Sequence, residues 1–338
     1  MRCIDNKNRY RKRRNRKKEL RNRLLLNLLV VIFIVAGIII GVNIKKTTHG
    51  LVPNRYLTSV HKAETYTENL CVVNEEITFD EFSRQDKFHG ALLFDISTQE
   101  VLYAEHVHER LYPASTTKML TIYVALKYGK LNDIVTISKN AVNVPNGSSV
   151  AYLKEGDQLS LKDLLYSLML PSGNDSAVAV AEHISGDVQS FAKLMNQEAK
   201  LLGATNTHFV NPHGYHDKDH YTTAYDLYLI LNKCLQNEIF VEIVSSNQRE
   251  AIVKGANGES RPVIWQQTNQ FINGLREVPD GVSVIGGKTG NTFEAGSCLA
   301  VHCKGKDGTP YIAIIMGASS KRNLYDNMTS LMEAIPVE

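Results

Sequence analysis

Between residues 88 and 318, strand-forming runs stand at both ends and helical periodicity fills the middle, and this order restricts the fold more than any other feature. Ala91–Asp95 and Val101–Ala104, separated by Ser97-Thr98-Gln99-Glu100, read as a β-hairpin. From about 120 to 237 the pattern is mainly helical, with candidate helices at Leu161–Leu170, Ser176–Ser185, Val188–Leu202 and Thr223–Asn237. Strands return beyond Val263, at Val282–Gly287, Gly296–Cys303 and Tyr311–Gly317, and Arg322–Ala334 reads as a closing helix. These strands bury their apolar faces together only if the helical section is an insertion. The expectation is therefore an α+β fold: an antiparallel sheet built from distant segments, flanked by helices and carrying an inserted mainly helical lobe.

Charge divides the chain differently. The formal net charge is +3, yet residues 1–46 carry about 14 Lys and Arg against about 2 acids, which leaves the remainder at roughly −9. Leu24–Ile44 is a run of about 21 residues interrupted only by Asn27 and Asn43, enough to cross a bilayer as a helix. The expected layout is a basic cytoplasmic tail (1–23), a transmembrane signal-anchor helix (24–44), an extracytoplasmic spacer (45–84) and a catalytic domain (85–338). It would be a single-pass protein of a bacterial cell membrane, with the N-terminus cytoplasmic and the catalytic domain outside. The apolar run is longer than a usual signal-peptide core, and Gly41-Val42-Asn43-Ile44-Lys45 is a poor cleavage site. A membrane span directly behind the basic head argues against nucleic acid as a partner.

Three short motifs carry the chemistry: Ser115-Thr116-Thr117-Lys118, Ser172-Gly173-Asn174 and Lys288-Thr289-Gly290. Ser-x-x-Lys also occurs at Ser59/Lys62 and Ser190/Lys193. Only Ser115 is preceded by Pro113-Ala114 and followed by an apolar run (Met119, Leu120, Tyr123, Val124, Leu126) at helical spacing. That context places Ser115 at a helix start, with Lys118 one turn on and on the same face. A serine hydroxyl needs a base, and a lysine serves as one only when burial or a second cation depresses its pKa from about 10.4. Lys288 is the candidate second cation. Gly290 allows a substrate to approach the strand edge, and Thr289 with Lys288 would hold a carboxylate. Ser172 would relay a proton and Asn174 would bond Lys118 or the substrate backbone. The N–H groups of Ser115 and Asn291 would form an oxyanion hole.

With those residues in hand, the chain resembles the D-alanyl-D-alanine carboxypeptidases of low molecular mass, penicillin-binding serine peptidases. The likeness extends through Leu111–Met119, Pro171–Ala177, Asn211-Pro212-His213-Gly214, Tyr221–Leu227 and Lys288–Thr292, roughly residues 88 to 317. It implies a β-lactamase/penicillin-binding-like fold and removal of the terminal D-alanine from peptidoglycan stem peptides ending in D-Ala-D-Ala. The route would be an acyl-enzyme on Ser115, with β-lactam antibiotics as covalent inhibitors. On matched positions it implies Ser115 as nucleophile, Lys118 as base, Ser172 and Asn174 as the second motif, and Lys288, Thr289, Gly290 and Asn291 on the substrate side. No cofactor or metal is expected. Such proteins commonly carry a second β-rich domain and a C-terminal amphipathic helix; with the sequence ending at Glu338, anchoring is expected at the N-terminus instead. The alternatives are a β-lactamase, which would need a Glu-x-x-Leu-Asn loop that does not occur here, and a penicillin-binding sensor without turnover.

Other features take plainer readings. His213, His216 and His220 flank an Asn-Pro-His-Gly loop and suit structural hydrogen bonding better than zinc. Asp175 and Asp226 read as caps or loop organisers, and Trp265 as core. Cys298 and Cys303, five apart on one strand, would point to opposite faces and are not expected to pair.

Overall fold

In the computed structural model, residues 75–78 and 88–336 are described, all of them within one compact unit spanning 66–338. Two strands open the order, β1 (Gly90–Asp95) and β2 (Glu100–Glu105), and a 3₁₀ turn, Ala114–Thr117, leads into α1 (Lys118–Tyr128). The lobe holds β3 (Ile134–Thr136), α2 (Lys139–Val142), β4 (Gln158–Ser160), α3 (Leu161–Met169), α4 (Asn174–Ser185), α5 (Val188–Leu201), α6 (Ala224–Cys234) and α7 (Glu238–Ser245). β5 (Gln248–Lys254), β6 (Ser260–Gln266), β7 (Ser283–Thr292), β8 (Gly296–Lys304), β9 (Pro310–Ala318) and α8 (Lys321–Glu333) complete it.

The main sheet is antiparallel in the order β2-β1-β9-β8-β7, so the first hairpin pairs with the last strand across the whole lobe. Its middle strands are buried on both faces. In β1, Leu92 and Phe94 join the core shared with the lobe, whereas Ala91 and Leu93 join the core under α8. In β9, Ile312, Ile314 and Met316 face the first and Tyr311, Ala313 and Ile315 the second. This strict alternation makes a three-layer body, helices–sheet–helix, in which each buried large aliphatic contributes about 1.5–3 kcal/mol. The same alternation puts Cys298 in one core and Cys303 in the other, and both are free thiols, as is Cys234. On the outer edge, Ile77 pairs with Ala104 of β2 through two backbone hydrogen bonds of 2.8 and 2.9 Å.

Two expectations are corrected. A second antiparallel sheet, β3-β4-β5-β6, is one: β3 and β4 lie within the section read as mainly helical, and β5 and β6 follow it, where no strand was expected before Val263. β3 and β4 are three residues each, too short for a period to register. In β5 and β6 most side chains are exposed or half-exposed, so no apolar run marks either strand. The transmembrane helix is the other. No helix among the described residues is long and apolar enough to cross a membrane. The run 24–44, the tail before it and the spacer up to residue 74 lie outside the described residues. Among the described residues the fold is the α+β body, and the single-pass topology, the membrane as partner and the cell-membrane location have no support in it.

Candidate active site

Helix α1 is apolar on nearly every side: Met119, Leu120, Ile122, Val124 and Ala125 are fully buried. Such a helix runs through the interior rather than over the surface, and its first residue, Lys118, is carried inside with it. Lys118 is 0% exposed. Ser115 stands one turn earlier, on the 3₁₀ turn rather than in the α-helix itself.

The ammonium nitrogen of Lys118 has three polar neighbours: Ser115 Oγ at 3.0 Å, Asn174 Oδ1 at 2.7 Å and the His213 carbonyl oxygen at 2.8 Å. The last two only accept hydrogen bonds. With two N–H bonds given to those acceptors, a neutral amine at this position would keep one lone pair for the Ser115 hydroxyl, 3.0 Å away. Burial drives the Lys118 pKa well below its usual value, and the nearby Lys288 lowers it further, while Asp175 opposes the shift. Lys288, in mid-strand on β7 and 1% exposed, is itself lowered to about 7 by burial, and donates to the Thr289 carbonyl at 3.0 Å.

The second motif enters from the head of α4. Asn174 is the first helical residue, its N–H donating to Ser149 O at 2.8 Å. Ser172 adopts a left-handed φ of 63°, an unusual conformation for a side-chain-bearing residue, and its buried hydroxyl has no hydrogen-bond partner. Asp175 faces away and clamps the loop beneath, accepting from Ala151 N at 2.9 Å and Leu153 N at 3.2 Å. Trp265 secures the same loop by donating Nε1–H to Ala151 O at 3.1 Å.

The third motif closes the gap. A Cβ on Gly290 would stand 2.8 Å from Pro113 O and 3.0 Å from Ser115 N, so the edge of β7 meets the nucleophile turn only because that residue has no side chain. Thr289 and Thr268 share a hydroxyl–hydroxyl hydrogen bond of 2.9 Å, and Asn291 Nδ2 donates to Ser297 Oγ at 2.7 Å. Ser115, Ser172, Thr289, Gly290 and Asn291 line one cleft of about 190 Å³. Lys118 and Asn174 sit behind its wall.

Several supporting residues carry no motif of their own. Ala114, immediately before the nucleophile, is left-handed at φ 47°. Its carbonyl accepts from Thr117 Oγ1 at 2.8 Å, and Thr117 Oγ1 lies 2.8 Å from Nε2 of His220. Val210 N–H donates to His220 Nδ1 at 3.2 Å, so the ring hydrogen sits on Nε2 and is donated to Thr117. The Asn211–Gly214 loop packs against this turn. A Cβ on Gly214 would fall 1.8 Å from Ala114 O, Pro212 O accepts from Thr121 Oγ1 at 2.6 Å, and His213 O holds Lys118. Burial lowers His213 and His220 to about 3, so both are neutral. Among the described residues no three His, Cys, Asp or Glu side chains are placed to hold a metal. The Asn-Pro-His-Gly string was legible; that its use is through backbone carbonyls was not.

Residues 82–320 match a family model described as D-alanyl-D-alanine carboxypeptidase. The chain is 33% identical over 252 residues to the D-alanyl-D-alanine carboxypeptidase DacF of Bacillus subtilis, covering 72% of this chain and 61% of that protein. It thus spans about three fifths of that relative's length. Among solved structures it is similar to the Streptomyces K15 DD-transpeptidase, with a TM-score of 0.68 and 29% identity, covering 78% of this chain and 98% of that one. It is also similar to penicillin binding protein 5 from Haemophilus influenzae, with a TM-score of 0.64 and 30% identity, covering 78% and 72% of the two chains. With the family model spanning most of the chain and the three motifs converging on one cleft, this protein belongs to the D-alanyl-D-alanine carboxypeptidase family.

Proposed function

We propose that this chain is a serine-type D-Ala-D-Ala carboxypeptidase that removes the terminal D-alanine from peptidoglycan stem peptides and is acylated by β-lactams at the same serine. The observation that carries the reading is the surrounding of Lys118 Nζ: two obligate acceptors, Asn174 Oδ1 and the His213 carbonyl, lie against it, and Ser115 Oγ stands 3.0 Å away, within reach of proton transfer to the neutral amine. In the reaction, Lys118 accepts the Ser115 proton while Oγ bonds to the carbonyl carbon of the penultimate D-alanine. The oxyanion is received by the N–H groups of Ser115 and Asn291. Collapse breaks the C–N bond, and the leaving amine takes a proton from Lys118 through the Ser172 hydroxyl. Water, deprotonated by Lys118, then hydrolyses the ester and restores Ser115. The edge of β7 holds the substrate as an added strand, with Thr289 at its carboxylate end.

A β-lactamase of the kind that uses a glutamate for deacylation needs an acid at the cleft, and none lines it among the described residues. The test is D-alanine release by the full chain from a peptide ending in D-Ala-D-Ala, with penicillin labelling followed in parallel. Release in excess over enzyme, blocked by penicillin and lost with labelling in Ser115→Ala, is expected. Labelling that survives Ser115→Ala would move the nucleophile elsewhere, and labelling without release would favour a sensor.

A further inference from the structure

The cleft is lined by Ser149 from the lobe, on the loop before β4, and by Asn291 from the main sheet, near the end of β7. The chain leaving each of them carries a large aromatic into solvent within three residues: Tyr152 is 82% exposed, and Phe293, in the turn after β7, is 99% exposed. A single exposed aromatic is ordinary. Tyr152 is not, because its backbone is left-handed at φ 60°, where a bulky residue is an outlier. Its buried neighbours are pinned on both sides. The Asp175 carboxylate accepts from Ala151 N–H at 2.9 Å and from Leu153 N–H at 3.2 Å, and Ala151 O accepts from Trp265 at 3.1 Å. Ser149 O, accepting from Asn174 N–H at 2.8 Å, ties the same loop to the second motif. These bonds hold a strained residue whose own side chain stands in solvent. Backbone strain that the surroundings enforce gathers at functional sites, and the cleft already has two such residues, Ala114 and Ser172.

We infer that Tyr152 and Phe293 grip the side chain of the residue that precedes D-Ala-D-Ala and select a long aliphatic one there. This rests on the carboxypeptidase reading. With the carboxylate end at Thr289 and the oxyanion at Asn291, a strand added to β7 runs on past Asn291, and its next residue comes level with Thr292 and Phe293. At about 3.3 Å per residue, Phe293 stands about 7 Å beyond Asn291, within the stem peptide and short of any sugar at its far end. Aromatic rings offer large apolar faces to methylene groups at little cost in side-chain freedom, so neither needs a charge on the substrate. Both are specificity-determining residues, outside all three motifs.

The experiment gives the full chain acetyl-norleucyl-D-Ala-D-Ala and acetyl-L-alanyl-D-Ala-D-Ala, which differ only in the length of that side chain. We expect kcat/KM for D-alanine release to favour the norleucyl peptide about tenfold in the wild type, as partial burial of three further carbons gives. Glycine accepts a left-handed φ without strain, so Tyr152→Gly is expected to hold or raise the thermal midpoint while the preference falls below about threefold. Phe293→Ala should lower the preference with the midpoint unchanged, and Tyr152→Phe, which keeps the ring, should retain it. A wild type indifferent to the side chain overturns the inference, as does a preference that survives Tyr152→Gly and Phe293→Ala combined. An equal loss on both peptides with a lowered midpoint also overturns it, marking a structural role, and so does a preference seen only when the substrate carries its sugar. A wild-type chain that neither releases D-alanine from either peptide nor is labelled by penicillin at Ser115 overturns the carboxypeptidase reading itself.

Discussion

The Lys118 amine and the Asn174 side-chain carbonyl stand 2.7 Å apart, both shut off from solvent. A neutral amide so placed takes a hydrogen from the lysine without stabilising its charge as a carboxylate would. Replacing it with an acid of the same shape changes the charge alone. Asn174→Asp therefore raises the Lys118 pKa, leaves less of the free amine at pH 7, and slows penicillin acylation by at least about tenfold, with the rate recovering at higher pH. A pH–rate profile of acylation checks this; an unmoved limb would remove Lys118 as the base.

Lys288 acts on the same group from the other side, its charge lowering the Lys118 pKa. Lys288→Met withdraws that charge and also moves the acylation limb to higher pH. Its stability effect has the opposite sign from its effect on rate. The folded pKa of Lys288, about 7, lies below its unfolded value, so the wild type carries the full cost of the buried charge below pH 7 and sheds it as pH rises. The variant's thermal midpoint is expected to exceed the wild type's most clearly at pH 6, and calorimetry at pH 6 and 9 measures it.

His213 and His220 are held neutral, near 3, while an unfolded chain protonates them near 6.5. The unfolded state binds more protons between those values. Stability attributable to each ring is present above pH 6.5 and falls as pH drops toward 3, by up to about 1.4 kcal/mol per pH unit per histidine. Denaturant midpoints at pH 7 and 5 should show this slope, and His220→Gln, which keeps a donor to Thr117, should flatten it.

Gly290→Ala places a methyl 2.8 Å from Pro113 O and 3.0 Å from Ser115 N. The nucleophile turn and the β7 edge must then separate. A displacement of that kind at the reacting atoms costs on the order of 10²-fold in acylation rate. Stopped-flow acylation gives the number, and near-wild-type rates would show that the two segments are free to part.

The spacing and context of three motifs single out Ser115, Lys118, Ser172, Asn174, Lys288, Thr289, Gly290 and Asn291 in the sequence; the structure sets Ser115, Ser172, Thr289, Gly290 and Asn291 on one cleft and leaves Lys288 buried outside its lining. That the terminal strand segments share one antiparallel sheet was legible too, from strand runs on either side of a helical insertion. What stayed hidden acts through the backbone or through distance. The His213 carbonyl that fixes Lys118 is a group every residue has. The Thr117–His220 pair spans 103 residues. The second sheet escaped because β5 and β6 are exposed along one whole face and only partly buried on the other, so they lack the apolar run by which strands are recognised.

An unpaired strand edge is a template for any extended chain, including another copy of the same protein. In the main sheet the two edges are not alike. Beside β2, Ile77 occupies the hydrogen-bonding groups of Ala104, interrupting the ladder that a stray strand would follow. The β7 edge instead meets the cleft at Thr289, Gly290 and Asn291. One short backbone bridge far from the nucleophile therefore works against sheet-to-sheet aggregation, leaving strand addition to the side where it is useful.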